Sequence, residues 1–272
     1  FPQGSIFRSR LFEIGYGSKF NADTVREGSN LAFKIESNFT DLSEIKTEIF
    51  YRSTGRNTRI TRGSPLAPYI NMPKGMGGYI EFTGPRKPTY IYSLRFERGK
   101  GSEHSPEIGW KNSSRGFIKF MPAENLSFSM LYQHTDEKNW LNWLDDNLLA
   151  TFHRKQRKSV FELEWFKNNK HELRIKAQLV AFTGRNPIPY LGDQTGNLKP
   201  IDLNISPITI SELAFQVRYR YEIMPLSYLY LVYSKGGRVT LNDDEDNLAS
   251  LYRRPWNDPA KENFTLKLRY RF

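Results

Sequence analysis

The sequence predicts an all-β protein, a transmembrane antiparallel β-barrel of about twelve strands with short periplasmic turns and long extracellular loops. Three observations predict this fold class. Segments in which apolar and polar residues alternate recur from one end of the 272-residue chain to the other. Short and long connections alternate strictly between these segments, so all the short ones fall at one end of the sheet. Aromatic residues cluster beside the short connections, where the head groups of a bilayer would lie.

Each strand is predicted from a period of two residues, because successive side chains of a β-strand point to opposite faces. The closing run LKLRYRF (266–272) places Leu, Leu, Tyr and Phe on one face and Lys, Arg and Arg on the other. In lipid, such a final strand must close onto the first strand, because an unpaired edge finds no hydrogen-bond partner there. In chain order, the predicted strands cover residues 5–16, 30–39, 44–52, 76–83, 89–98, 110–121, 125–144, 148–166, 171–182, 208–221, 226–235 and 263–272.

The connections between the predicted strands fall into two classes. The seventh and eighth strands are unusually long and meet at a tip at 145–147, so this hairpin should project well beyond a bilayer. Both chain ends fall at the short-turn end, which is expected to be periplasmic. The short connections carry the Asn, Asp, Gly and Pro of tight turns and cover residues 40–43, 84–87, 122–125, 168–170 and 222–225. The long connections are polar and cover residues 17–29, 53–75, 99–109, 183–207 and 236–262.

The composition excludes several classes of protein. The sequence contains no uninterrupted apolar stretch of the roughly 18 residues that a membrane-spanning helix needs. A hydrophobic content of 38% still suits barrel strands, since only every second residue must be apolar. The chain has no cysteine, which excludes disulfides and thiolate chemistry. A formal net charge of +11 predicts attraction to an anionic partner.

The polar sides of the strands predict a charged lumen wall. Pairing Trp165 with Leu173 across one hairpin puts apolar residues together on the lipid side. The same register places Glu164 opposite Arg174 inside the barrel. Such a wall could be an open path that favours anions, or its charges could pair and close the lumen. The residues expected to line the lumen are Lys34, Glu36, Arg95, Glu97, Glu162, Glu164, Arg174, Lys176, Gln216, Arg218, Arg220, Lys267, Arg269 and Arg271.

The sequence offers only weak candidates for a catalytic site. A serine hydrolase built on one strand needs a His followed by Ser two positions later, and no histidine has that spacing; His104 and Ser105 are adjacent. His134 and Asp136, with Asp145 and Asp146 nearby along the chain, have the residue types of a protease at a barrel rim. The alternative interpretation is that these residues belong to a solvated strand extension and have no catalytic role. The chain is therefore not expected to be an enzyme, and no catalytic residue or cofactor is predicted.

Two charged loops are candidate binding sites. The run NDDEDN (242–247) could offer oxygen ligands to calcium, but it lacks the EF-hand spacing and its glycine, so a solvated acidic loop is favoured and no metal site is predicted. Four arginines follow the third strand, and the aromatic residues lie in the strands instead of between them. Lipid phosphate is therefore a better partner for this loop than nucleic acid. These arginines are Arg52, Arg56, Arg59 and Arg62.

From about residue 125 onward, the sequence resembles a family of uncharacterised bacterial outer-membrane β-barrels. The matching stretches are WLNWL (140–144), residues 162–182, LSYLYLVYSKGG (226–237) and the closing LRYRF. The resemblance implies an outer-membrane location. Members of this family usually carry a periplasmic domain, similar to a carbohydrate-binding module, ahead of the barrel. The resemblance therefore implies that the chain is the C-terminal part of a larger protein, and it supplies no catalytic residues.

These observations predict a single outer-membrane barrel domain over residues 1–272. Its expected function is porin-like passage or recognition of an anionic or saccharide-related solute. The alternative is a closed barrel that serves as a membrane anchor or structural subunit of an envelope complex. Expected partners are outer-membrane lipid and lipopolysaccharide, other envelope proteins and, during insertion, the barrel-assembly machinery. Phe272 resembles the aromatic C-terminal signal which that machinery recognises.

Overall fold

A computed structural model describes residues 5–20, 26–100, 109–243 and 247–271. These residues form one antiparallel sheet of thirteen strands, a separate two-stranded ribbon and one α-helix, so the fold is all-β. The strands are β1 (Phe7–Phe20), β2 (Arg26–Phe39), β3 (Glu44–Arg52), β4 (Gly55–Asn57), β5 (Ile70–Met72), β6 (Gly75–Thr83), β7 (Tyr90–Lys100), β8 (Trp110–Ala123), β9 (Leu126–Asp145), β10 (Leu148–Asn168), β11 (His171–Gly192), β12 (Leu198–Pro200), β13 (Ile208–Met224), β14 (Ser227–Leu241) and β15 (Lys261–Arg269), and the helix is α1 (Leu248–Asn257).

The main sheet follows the chain from strand to strand. Its order is β1-β2-β3-β6-β7-β8-β9-β10-β11-β13-β14-β15, and these twelve strands correspond one to one with the twelve predicted segments. The remaining elements lie inside connections that were predicted to be loops. Strands β4 and β5 pair with each other, and β12 pairs with the outer end of β11. Helix α1 begins after Asn247, whose side chain accepts hydrogen bonds from the N–H groups of Ala249 and Ser250.

Strands β9, β10 and β11 are the longest elements, with 20, 21 and 22 residues. The prediction that β11 ends at residue 182 is wrong by ten residues. The strand continues because the projecting part of β10 needs a partner, and Leu148 pairs with Leu191 at its far end. A strand of this length spans roughly 70 Å, more than twice the hydrocarbon thickness of a bilayer. Three neighbouring strands therefore extend far past the others at one end of the sheet.

The connections are sorted by end, as the sequence predicts. Tight connections join β2 to β3, β6 to β7, β8 to β9, β10 to β11 and β13 to β14. Leu42 and Leu226 take positive φ angles of 68° and 67° at two of these turns. Both ends of the described chain lie at this short-turn end. Parts of three predicted loops, residues 21–25, 101–108 and 244–246, lie outside the described residues.

The strand register gives the sheet two chemically different faces, here called the apolar face and the charged face. Along the apolar face, cross-strand partners include Ile80 with Phe96 and Ile118 with Met130. These side chains are about half exposed, and Ile49 on the same face reaches 62% exposure. A water-soluble sheet buries its apolar face, so this arrangement is inverted. No helix in the described part of the chain is long and apolar enough to cross a membrane.

The sheet path ends at β1 and β15, and nearly all side chains of these two strands are exposed. Within the ranges that the structure describes, no strand pairing joins β15 to β1. The closed barrel that the sequence predicts is therefore still a prediction, whereas the single large antiparallel sheet is observed.

Candidate functional site

The predicted lumen residues lie together on the charged face. In the hairpin of β10 and β11, Trp165 pairs with Leu173 and Glu164 pairs with Arg174, as the sequence register predicts. The pairing continues from Arg174 to Arg218 on β13. Arg271 follows the end of β15, where its N–H donates to Ser227 Oγ over 3.0 Å. Phe272, the predicted insertion signal, lies outside the described residues.

A chain of ion pairs crosses the charged face on β1, β2 and β3. Lys34 Nζ lies 3.0 Å from a carboxylate oxygen of Glu13 and 3.8 Å from Glu36. Lys46 Nζ lies 2.8 Å from Glu44 and 3.9 Å from the same Glu36. The chain forms because alternating strands bring acidic and basic residues opposite each other on one face. Each of the two lysines therefore contacts two carboxylates, and they share Glu36.

A second group of ion pairs lies on β6, β7 and β8. Arg95 reaches Glu81 at 3.2 Å and Glu97 at 3.5 Å, and Lys111 reaches Glu97 at 3.2 Å. The Arg95 guanidinium also lies 3.5 Å from the ring centroid of Tyr79. Arg95 is thus fixed by two carboxylates and an aromatic ring.

The third group surrounds the buried carboxylate of Glu172 on β11, whose side chain is only 10% exposed. Glu172 contacts the Arg174 guanidinium and lies 2.8 Å from Arg220. On β10, Glu164 lies 3.7 Å from the same Arg174. The neighbouring pair of Glu162 and Lys176, 2.6 Å apart, is much more exposed. Glu172 therefore relieves the repulsion between arginines that the register brings close together.

Several cations of the charged face take part in no ion pair with the residues that the structure describes. Arg218 donates to the Gln216 side chain over 3.4 Å, and Lys267 and Arg269 lie beyond it on β15. Arg115 and Lys158 flank Gln133 in one cross-strand row. Neither was among the lumen residues predicted from the sequence. Arg115 pairs with Arg95 across β7 and β8, a register for which no prediction was made from the sequence. The charged face thus carries an excess of positive charge.

Three outer connections interlock at the end opposite the tight turns, and we call this assembly the outer cap. It consists of residues 53–74, the tip between β9 and β10, and the connection between β11 and β12. The Ser64 hydroxyl donates to Asp146 over 2.7 Å. Asn147 donates to the Gly192 carbonyl, and Asn71 donates to the Thr195 carbonyl, each over 2.9 Å. The cap joins the β3 side of the sheet to the projecting strands β9 to β11.

The outer cap has its own apolar core. Ile70, Leu141 and Leu149 are almost fully buried, with Ile60 and Leu198 packed against them. Arginines from the predicted lipid-binding loop also hold this cap together. The Arg56 guanidinium lies 4.5 Å from the ring centroid of Tyr69, and Arg62 lies 4.1 Å from that of Trp143. Arg59 lies 3.8 Å from Glu27. The structure thus gives these arginines contacts within the protein.

The histidines do not form the rim constellation that the sequence suggested. His134 and Asp136 lie on the apolar face of β9, and Asp136 Oδ1 is 3.0 Å from His153 Nε2. Asp146 belongs to the cap, just past the end of β9 and ten residues or roughly 30 Å beyond Asp136. Ser114 pairs directly with His134 across β8 and β9. The sequence rule missed this neighbour because it considered spacing within one strand.

No group of three or more His, Cys, Asp or Glu side chains in the described ranges is arranged to hold a metal ion. The acidic run 242–247 falls partly on residues 244–246, which lie outside those ranges. Its last member, Asn247, caps α1.

No protein-family model matches the chain, and no curated protein sequence matches it significantly. Among solved structures, LpxR from Salmonella typhimurium aligns over 79% of this chain and 84% of its own chain, with a TM-score of 0.29 and 9% identity. The expectation that the chain is not an enzyme is not borne out by this comparison. A likeness this weak assigns no activity to this chain.

Proposed function

We propose that the chain forms the wall of an outer-membrane β-barrel with a path for anionic solutes along its charged face. The observation that carries the membrane assignment is the exposed apolar face. On β10 this face carries Trp165, Leu163 and Phe161, then Ser159, and it is bounded by Arg157, eight residues or roughly 26 Å of strand from Trp165. With a strand tilt of about 40°, the apolar band is about 20 Å tall, close to the band of known barrels.

The two exposed sheet edges support the same proposal. Unpaired N–H and C=O groups cost several kcal/mol each in hydrocarbon, about what a lost hydrogen bond costs in an apolar solvent. Pairing of β15 with β1 would satisfy both edges and turn the charged face inward. We place the tight turns and both chain ends on the periplasmic side and the outer cap outside, following the loop lengths of barrels. The family resemblance and the insertion role of Phe272 belong to this proposal.

The excess of cations on the charged face supports a path for anions. The acidic residues predicted to line the lumen, which are Glu36, Glu97, Glu162 and Glu164, each lie in an ion pair. Arg218, Lys267 and Arg269 do not, within the described residues. Basic residues that are not neutralised concentrate anions in a narrow pore.

The test is single-channel conductance of the purified chain in a planar bilayer, with a salt gradient to report ion selectivity. The wild type should give stable anion-selective steps. A variant with Arg218→Gln, Lys267→Gln and Arg269→Gln should lose most of that selectivity while still inserting. The matched control carries Arg59→Gln and Lys199→Gln in the outer loops and should keep it. Cation-selective steps from the wild type would contradict the proposed path.

A second candidate function is a closed barrel that anchors or supports an envelope complex. The three ion-pair groups and the interlocked outer cap favour it, because both features fill and rigidify a barrel. A chain that inserts and folds but gives no steps, even when the cap is loosened by Ser64→Ala, would support the anchor over the path.

A further inference from the structure

A groove of about 540 Å³ crosses the apolar face between β3 and β9. It exists because one cross-strand row contains a glycine: Ile49 pairs with Gly78, and Gly78 pairs with Arg98. A Cβ atom on Gly78 would lie 2.3 Å from the carbonyl oxygen of Glu48, so the backbone there admits no side chain. Ile80 and Phe96, one row closer to the tight turns, form the apolar wall of the groove.

The end of the groove toward the outer cap is polar and basic. Arg98 is exposed, and its guanidinium lies 4.3 Å from the ring centroid of Trp110. Lys100 Nζ lies 5.7 Å from the same ring. The Arg98 row continues to Asn112 on β8, and His134 lines the groove one row below. Asp136, an acidic residue lining this end, is engaged by His153 at 3.0 Å, whereas Glu48 and Glu97, which also line the groove, lie at register positions of the charged face.

The position of Arg98 along the membrane normal matches the outer head groups. Tyr90 marks the tight-turn end of the apolar face on β7, and Arg98 lies eight residues beyond it. That separation corresponds to roughly 26 Å of strand and about 20 Å along the normal of a tilted barrel. Trp110 is a residue type that prefers this interface. Ile80 and Phe96 then face the acyl chains just below.

We propose that this groove binds a phosphate-bearing lipid of the outer leaflet. The phosphate lies at Arg98, where the guanidinium can donate two parallel hydrogen bonds and Trp110 restrains its orientation. An acyl chain lies along Ile80 and Phe96 in the space that Gly78 leaves open. A lipid fits better than free phosphate because most of the groove surface is apolar and faces the bilayer. The inference rests on the proposed membrane insertion, and it does not depend on an open solute path.

The experiment measures lipid retention by native mass spectrometry of the full chain in detergent. Three probes are compared at equal concentration: a diacyl phosphatidic acid, the diacylglycerol with the same chains, and inorganic phosphate. Phosphatidic acid should be retained about tenfold more than diacylglycerol, the effect of one charge-assisted hydrogen-bond pair. Inorganic phosphate should not be retained. Arg98→Gln should reduce phosphatidic acid retention about tenfold, and the control Arg59→Gln should leave it unchanged.

Insertion is measured first, by the heat-modifiable gel mobility of the wild type reconstituted in lipid vesicles. A wild type that never inserts contradicts the proposed membrane wall and this inference together. A wild type that inserts but retains phosphatidic acid and diacylglycerol equally overturns the inference alone. Retention of inorganic phosphate at the level of phosphatidic acid also overturns it, since the acyl chain would then contribute nothing. The comparison of phosphatidic acid with diacylglycerol on the wild type tests the lipid site even if Arg98→Gln fails to fold.

Discussion

Ser64 donates a hydrogen bond to Asp146 over 2.7 Å, although 82 residues separate the two in the sequence. Ser64 lies in the connection from β3 to β6, and Asp146 lies at the tip between β9 and β10. Strands β7 and β8 stand between these places in the sheet order. Asp146 takes a positive φ of 36°, a conformation that its surroundings must hold. This hydrogen bond therefore ties two distant parts of the sheet through the outer cap.

Replacing this serine, Ser64→Ala, should loosen the outer cap. Ser64 is buried, and its loss leaves a carboxylate without a donor, which costs about 1–3 kcal/mol. The strands should stay intact, because they do not depend on this contact. We expect faster cleavage within residues 53–74 in limited proteolysis, with the cut sites identified by mass spectrometry.

The matched control for the cap is Ser127→Ala, which makes the same chemical change on β9 at the tight-turn end. Its cleavage pattern should equal that of the wild type. Equal protection of residues 53–74 in Ser64→Ala and the wild type would show that the apolar core around Ile70 holds the cap without this hydrogen bond.

Glu172 is the acidic residue whose loss should disturb the charged face most. The change Glu172→Gln removes a nearly buried negative charge that contacts both Arg174 and Arg220. Two arginines near each other then lose their shared counter-charge, so the free energy of unfolding should fall by about 1–3 kcal/mol. Urea-induced unfolding in detergent, followed by gel mobility, measures this loss.

Glu162→Gln is the control for this charge change. Glu162 pairs with Lys176 at 2.6 Å, but the two side chains are 44% and 58% exposed. An exposed pair contributes less than about 1 kcal/mol. If both variants unfolded at the same urea concentration, burial of Glu172 would not be what makes its ion pairs important.

The strands and their faces could be predicted because alternation in sequence maps directly onto the two faces of a sheet. The register of β10 and β11 shows this: placing Trp165 opposite Leu173 correctly placed Glu164 opposite Arg174. The hydrophobic pattern and the charge pattern require the same register. A slip of one residue would move the apolar side chains to the other face and separate the opposite charges.

The outer cap and the groove could not be predicted in the same way. Ser64 meets Asp146, and Asn71 meets Thr195, through contacts between loops that no sequence period encodes. The groove arises where three strands place Ile49, Gly78 and Arg98 in one row. Each strand alone looks ordinary, and the combination exists only after pairing. Helix α1 was missed because its cap, Asn247, closes an acidic run that was interpreted as a solvated loop.

Acidic pH should open the turn at Asp193, which belongs to the outer cap. Its carboxylate accepts hydrogen bonds from the Thr195 hydroxyl and from the N–H groups of Thr195 and Asn197. These bonds, the Thr195 hydroxyl first, lower the pKa of Asp193 below its usual value of 3.8. A lowered pKa means that the stabilisation is complete above about pH 4 and is lost as the pH falls through the lowered value.

Amide hydrogen exchange of Thr195 and Asn197, followed from about pH 6 to pH 3, measures this opening after correction for intrinsic exchange. Protection should be constant at the upper end and should decline below about pH 4. The control is Asp193→Asn, which keeps an acceptor oxygen but cannot titrate, so its protection should not vary with pH. A wild-type turn that stays equally protected at the lowest pH would contradict the prediction.

Helix α1 should detach from the sheet when its one fully buried leucine is truncated. Leu251 is 1% exposed, its carbonyl accepts a hydrogen bond from Ser211 on β13, and Trp256 packs edge-on against Phe215. Leu251→Ala should weaken the docking of α1 by about 2–4 kcal/mol, because the cavity lies under the centre of the helix. Hydrogen exchange of the α1 amides should rise at least tenfold, as about 1.4 kcal/mol already produces that factor.

The change Leu248→Ala makes the same truncation at the exposed start of α1, where the side chain is 42% exposed. It should alter exchange in the helix only slightly, since a surface substitution costs about 0.5 kcal/mol or less. Exchange in β13 and β14 should stay slow in both variants, because their backbone hydrogen bonds belong to the sheet ladder. If Leu251→Ala released β14 together with α1, the helix would be part of the wall and would not simply be docked onto its apolar face.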